Sequence, residues 1–187
     1  MTSKEIIALQ KRIGTVPDGF WGPASTAAAQ AYLRSLMPAV APWPKPDQTS
    51  LTAFYGQPGD ESRLVNLDVG NVLMLYDGKP VKTVRCHCKV ADSLKRILTA
   101  IHRSQWRYVL SDYAGCYNNR PMRGGSLPSL HARGAAIDLR PATNGNRVHW
   151  PTKADMPIEV CELFAVEGWL PAGPFWSRDG MHFQATS

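Results

Sequence analysis

The side chains best suited to chemistry fall in two places. One is Ser129-Leu130-His131-Ala132-Arg133-Gly134-Ala135-Ala136-Ile137-Asp138-Leu139, and the other is Asp179-Gly180-Met181-His182-Phe183 near the end of the chain. Residues 136–140 and 181–184 each alternate in character, which predicts two short strands. Strand side chains alternate faces, so Ile137 and Leu139 point one way and Asp138 the other. Met181 and Phe183 bury in the same manner, and His182 between them faces out of the core. If the two strands are neighbours, Asp138 and His182 share one site. His131 sits just before a Gly-Ala-Ala turn small enough to bring it over that strand.

Two histidines and one carboxylate leave an open fourth position, which is the arrangement of a catalytic zinc and not of a structural one. A zinc held in this way lowers the pKa of its bound water towards ~7. Peptide hydrolysis would then need a base and a partner for the oxyanion. Asp179, three residues before His182 and followed by Gly180, is the candidate base. Arg120 and Arg123, which precede the first ligand, are the candidate oxyanion donors. Each residue has a plainer explanation, since a lone His is more often surface or core, and an Asp before Gly is usually a turn residue. His87, His102 and His149 compete as ligands and are read as helix or loop histidines. Cys86-His87-Cys88 has only one intervening residue, tighter than common zinc knuckles, so the four cysteines are read as reduced, mostly buried thiols.

The elements that must position these groups are partly legible. Residues 3–14 form a short amphipathic helix, with Thr2 and Glu5 offering a capping box. A loop dense in turn formers, Val16 to Pro23, leads into a second, Ala-rich helix that runs to about Leu36. Four prolines mark 37–50 as a stiff linker. Val90, Leu94, Ile97, Leu98 and Ile101 give a core-facing helix near 88–103. Another helix starts around Asp155, with Pro157 in its first turn, and stops at Gly168. Helices separate from short strands, so the expected class is α+β: a small antiparallel sheet with flanking helices, plus an all-α N-terminal segment.

Ser129, His131, Gly134, Ala136 and Asp138, followed late in the chain by Asp179, Met181, His182 and Phe183, form a motif pair. It resembles the D-alanyl-D-alanine carboxypeptidase and L-alanyl-D-glutamate endopeptidase family of zinc peptidases. Phe54-Tyr55-Gly56-Gln57-Pro58-Gly59, Cys88-Lys89-Val90-Ala91, Gly115-Cys116-Tyr117-Asn118 and Asn144 extend the resemblance towards the phage endolysin branch, over roughly 51–187. It implies that His131, Asp138 and His182 bind zinc, that Asp179 is the base, and that Arg120 assists. Where the family often has Gly-Gly-x-Trp before the base, this chain has Ala172-Gly173-Pro174-Phe175-Trp176, which alters the substrate rim. Leu9-Gln10, Asp18-Gly19-x-Trp21-Gly22-Pro23 and Thr26-x-x-Ala29 are similar to a peptidoglycan-binding repeat.

These resemblances imply three regions: a wall-binding-like segment 1–36, a linker 37–50 and a zinc peptidase 51–187. The expected product is an endolysin that cuts an amide bond in the peptide stem, between L-alanine and D-glutamate or a related pair. The alternatives are a D-alanyl-D-alanine carboxypeptidase and a non-catalytic wall-binding protein on the same fold. The expected partner is peptidoglycan, with no nucleic acid or membrane, and the chain is expected to be a monomer. It would be made in the host cytoplasm without a signal peptide and reach the wall after holin-type release.

The bulk numbers are compatible with this and decide little. The net charge of +6 over 187 residues favours polyanions, an acidic wall polymer among them, but the basic residues are scattered and form no nucleic-acid face. With 44% hydrophobic and 19% charged residues, the chain has the composition of a folded domain. No run of 18 apolar residues is present, as a membrane-spanning helix would need.

Overall fold

The computed structural model describes residues 1–187 and is of mixed α+β class. The chain opens with α1 (Ser3–Arg12) and α2 (Pro23–Leu36), followed by α3 (Gln48–Tyr55). Then come β1 (Leu64–Asp68), β2 (Leu75–Tyr76), β3 (Lys79–Pro80), β4 (Thr83–His87), α4 (Ala91–Arg103) and β5 (Tyr113–Gly115). The last third holds β6 (Ala136–Leu139), α5 (Pro141–Asn144), α6 (Ile158–Val166), β7 (Leu170–Pro171), α7 (Ala172–Trp176) and β8 (His182–Gln184). All strand pairings are antiparallel. β1 pairs with β4, β2 with β3, and a four-stranded sheet runs in the order β5-β6-β8-β7. No helix is long and apolar enough to cross a membrane.

Local chemistry explains the helix starts. Thr2 accepts from the Glu5 amide at 3.3 Å while its own amide donates to the Glu5 carboxylate at 2.6 Å, so two orphan donors of α1 are satisfied reciprocally. α1 ends at Arg12, earlier than expected, and Gly14 takes a left-handed φ of 72° that turns the chain away. Pro23 stands in the first turn of α2, where its missing N–H costs nothing. Pro157 stands outside α6 as its N-cap, with extended backbone, and the helix begins only at Ile158. α4 buries Leu94, Ile97, Leu98 and Ile101 in the core. Phe164 of α6 stacks on Phe183 of β8 with ring centroids 3.9 Å apart, fixing the last strand from beneath.

The N-terminal segment does not stand off from the rest. Leu9, Ile13, Ala29 and Leu33 belong to the same continuous core as Phe164 and Phe183. Trp21 meets Trp150 edge to face at 5.3 Å, and Arg12 bridges Glu159 and Glu162 of α6 at 2.9 and 2.7 Å. Gln10 is wholly buried. Its amide donates to Asp18 Oδ1 at 2.8 Å and accepts from the Gly19 amide at 2.9 Å, so this motif residue organises the loop between the helices. Residues 37–47, in the expected stiff linker 37–50, pack against the body. The Trp43 indole donates to the Glu167 carbonyl at 2.9 Å, and the Ser187 amide to the Pro44 carbonyl at 3.0 Å. Pro42 lies so near Gly168 that a Cβ there would sit 2.8 Å from its ring, leaving room only for glycine. Proline stiffness holds this stretch against the body as a strap.

The shared core makes a prediction about 1–36. Leu33 is fully buried, and Leu33→Ala should cost about 2–5 kcal/mol in denaturant unfolding of the whole protein. Deleting 1–36 should lower the melting temperature of what remains. A truncated protein of unchanged stability would show that the hairpin is an independent module.

Candidate metal centre

The expected neighbour relation between the two strands is present. β6 and β8 pair with Asp138 directly opposite His182, Ile137 opposite Phe183, and Ala136 opposite Gln184. Side chains of directly opposed residues lie on one face with Cβ atoms about 4.5–5.5 Å apart, so the register alone brings carboxylate and imidazole together. β5 covers the far edge of β6, and all four β6 residues are buried.

His131 arrives from a 3-10 turn, Leu130–Arg133. The Ser129 hydroxyl caps it, and Gly134 closes it with φ 65°. A Cβ on Gly134 would fall 2.8 Å from the His87 backbone nitrogen, so glycine is needed for both its conformation and its space. The turn delivers His131 over Asp138. Its Nε2 lies 3.2 Å from Asp138 Oδ1 and 3.1 Å from His182 Nδ1, and His182 Nδ1 lies 3.0 Å from the same oxygen. The three residues are 3, 5 and 8% exposed, and one ligand atom of each lies within 4.8 Å of the others.

The outer nitrogens are engaged elsewhere. His131 Nδ1 is 2.7 Å from the Cys116 carbonyl, and His182 Nε2 is 3.1 Å from Gln184 Oε1. Both neighbours are acceptors, so each ring keeps a proton on its outer nitrogen, and the inner nitrogen is the one that can give up its proton to bind a metal. Burial alone would raise the Asp138 carboxyl, but hydrogen bonds from His131 and His182 override it and hold it well below the usual carboxylate range. For His182, burial favours the neutral ring, yet the Asp138 carboxylate pushes its pKa up. Two inward imidazole nitrogens and one carboxylate oxygen, buried and convergent, are a donor set that can hold a metal ion and suits zinc.

Asp179 stands at the rim of this group. It takes a left-handed φ of 59° in the turn before Gly180, and its Oδ1 is buried without any hydrogen-bond partner. Burial raises its pKa, with the His182 charge pulling the other way and Asp138 adding to the rise. A cavity of about 210 Å³ joins Asp179 to the three donors and is also lined by Arg120, Arg123, Trp176 and Arg178. A second cavity of about 310 Å³ is lined by Tyr76, Arg85, Tyr113 and Tyr117, and shares Arg120, Arg123, His131 and Asp138 with the first. Both candidate arginines therefore border the site. The Arg120 guanidinium donates to the Pro121 carbonyl at 3.0 Å, whereas the Arg123 charge is near enough to lower the Asp179 pKa.

The competing histidines lie elsewhere. His87 faces the Tyr55 carbonyl at 3.0 Å, His102 accepts from the Leu73 amide at 3.3 Å, and His149 is exposed. All four cysteines are free, only Cys88 is exposed, and burial pushes the Cys86 thiol up to about 12. Two contacts went unread in the sequence. The Trp176 ring stacks on His182 at 5.5 Å and 24°, and the Cys116 carbonyl orients His131. The stacking partner had a faint signal in the aromatic position of the altered Gly-Gly-x-Trp segment. The carbonyl had none, because every residue carries one.

Fold and site together define an α+β domain with a buried two-histidine, one-aspartate group able to hold a metal. Residues 123–185 match a family profile described as D-alanyl-D-alanine carboxypeptidase, a stretch that includes all three donors and Asp179. The match supports a peptidase of the class that acts on peptidoglycan. No curated protein and no solved structure matches the chain.

Proposed function

We propose that this protein is a zinc-dependent endopeptidase that hydrolyses an amide bond in the peptide stem of peptidoglycan and serves phage-type lysis as an endolysin. The observation that carries this reading is the pair of cavities that meet at the donor group. They share Arg120, Arg123, His131 and Asp138, so a peptide can run past the donors in both directions. A carboxypeptidase needs room on one side only, for a terminal residue and its carboxylate. His131, Asp138 and His182 would hold the zinc, which when bound polarises the scissile carbonyl and acidifies water.

The remaining chemistry belongs to the chain. Asp179 accepts the proton of the attacking water on its unpartnered Oδ1, then returns it to the nitrogen that leaves as an amine. Its raised pKa helps the second transfer. As water adds to the carbonyl carbon, negative charge gathers on the carbonyl oxygen, and an arginine at the cavity wall stabilises it. Arg120 is the assigned donor. Loss of such a donor costs roughly 3–4 kcal/mol, so Arg120→Ala should lose 10²–10³-fold in turnover and Arg123→Ala far less. If only Arg123→Ala loses turnover, the assignment belongs to Arg123, as its proximity to Asp179 would then explain.

Segment 1–36 keeps the pattern of a wall-binding repeat and, docked beside the catalytic face, would add affinity for the polymer. The functional test is digestion of purified sacculi, with new termini identified by mass spectrometry. A free amine and carboxylate inside the stem, on a bond between L-alanine and D-glutamate or its neighbours, is the expected result. Release of terminal D-alanine alone would instead favour the carboxypeptidase.

A further inference from the structure

The alternation that places His182 continues past it. In β8 and the residues after it, Phe183 and Ala185 face the core while His182, Gln184 and Thr186 form a polar row on the opposite face. Residues two apart on a strand are same-face neighbours, and here the row is hydrogen-bonded along its length. His182 Nε2 lies 3.1 Å from Gln184 Oε1, and Gln184 Nε2 donates to Thr186 Oγ1 at 2.8 Å. Gln184 and Thr186 are 9% and 1% exposed, so water cannot easily substitute for either contact.

Gln184 is also fixed through its backbone. It sits opposite Ala136 on one side and Leu170 on the other, between two strands of the sheet. Thr186 then decides which end of the amide faces His182. A hydroxyl oxygen accepts from the amide nitrogen, which turns the amide oxygen towards the imidazole. An oxygen there requires a proton on Nε2, so Nδ1 is the nitrogen whose lone pair can be given to a metal.

We propose that Gln184, oriented by Thr186, is a positioning residue that sets the tautomer and angle of His182 for metal binding. The inference rests on the zinc reading above. It separates two functions of one polar row: His182 supplies a lone pair, and Gln184 with Thr186 ensures which nitrogen carries it. Outer partners of this kind are worth about 10–100-fold in metal affinity.

The test compares the full-length protein with Gln184→Leu, Gln184→Glu and Thr186→Val, by zinc competition against a chromogenic chelator. Gln184→Leu keeps bulk and removes the acceptor, so its zinc affinity should fall about 10–100-fold. Gln184→Glu keeps an acceptor at the same reach and should bind zinc as tightly as wild type or more so. Thr186→Val frees the amide to turn and should lose affinity in the same direction, which carries the test if the leucine variant does not fold. In nitrogen-edited NMR of the zinc-loaded wild type, the His182 proton should reside on Nε2. Wild-type binding with Gln184→Leu or Thr186→Val within threefold of it overturns this inference and leaves the zinc reading intact. Equal loss in the leucine and glutamate variants shows packing and also overturns it. A wild type that binds no zinc overturns both.

Discussion

Asp179→Asn should abolish most peptide hydrolysis and at the same time stabilise the protein at neutral pH. General-base catalysis contributes about 10²–10⁴-fold, and Asn cannot take a proton, so a loss of at least two orders of magnitude is expected. Asn tolerates the left-handed backbone at this position, which isolates the charge from the conformation. The stability change has a definite sign. Burial raises the folded-state pKa of Asp179 above its unfolded value, so folding favours the protonated form. The cost of burying ionised Asp179 therefore builds as pH rises above the unfolded value of ~3.9, is complete above the folded pKa, and is absent below the unfolded value. The melting temperature of Asp179→Asn should exceed that of wild type at pH 7, and the gap should close as pH falls below ~4. The acid limb of wild-type activity should lie above that of an ordinary aspartate for the same reason. Activity within about fivefold of wild type would remove Asp179 from the mechanism.

Removal of the metal should be the other large effect. Chelation, or His182→Ala, should reduce hydrolysis to background, and zinc should restore the chelated wild type but not the variant. Zinc held by His131, Asp138 and His182 would bind only the folded arrangement of β6, β8 and the turn bearing His131, so it would also stabilise the fold. At a hundredfold excess over its dissociation constant the gain is about 2.7 kcal/mol. For a protein of this length each kcal/mol moves the midpoint by roughly 2–4 °C, so a chelator should lower it by about 5–10 °C. Activity that survives exhaustive chelation would mean the triad serves another purpose.

The parts of the site that could be read in advance are those whose placement follows from strand periodicity. Asp138 between Ile137 and Leu139, and His182 between Met181 and Phe183, had to leave the core, and antiparallel pairing did the rest. The capping box at Thr2 and the helix at α4 were legible because both signals are local. The β1–β4 ribbon was not, since only Leu67, Val84, Cys86 and His87 of its ten residues are buried and the alternation is weak. Prolines in 37–47 announced stiffness but not where the stiff segment lies, which depends on Gly168 and Trp169 more than a hundred residues away. The same holds for Trp21, whose partner Trp150 is set by tertiary packing. Arg120 and Arg123 ride on a loop, where neither period constrains direction.

The most direct measurement of the central claim is zinc-edge X-ray absorption on the full-length protein loaded with one equivalent. The proposed ligation by His131, Asp138 and His182 predicts nitrogen and oxygen scatterers at about 2.0–2.2 Å, with the outer-ring signature of two imidazoles. Cys116 lies behind His131 and Cys88 is exposed beside His87, so thiolate ligation is the natural competitor. A sulfur shell near 2.3 Å, or a signature of fewer than two imidazoles, would contradict the account.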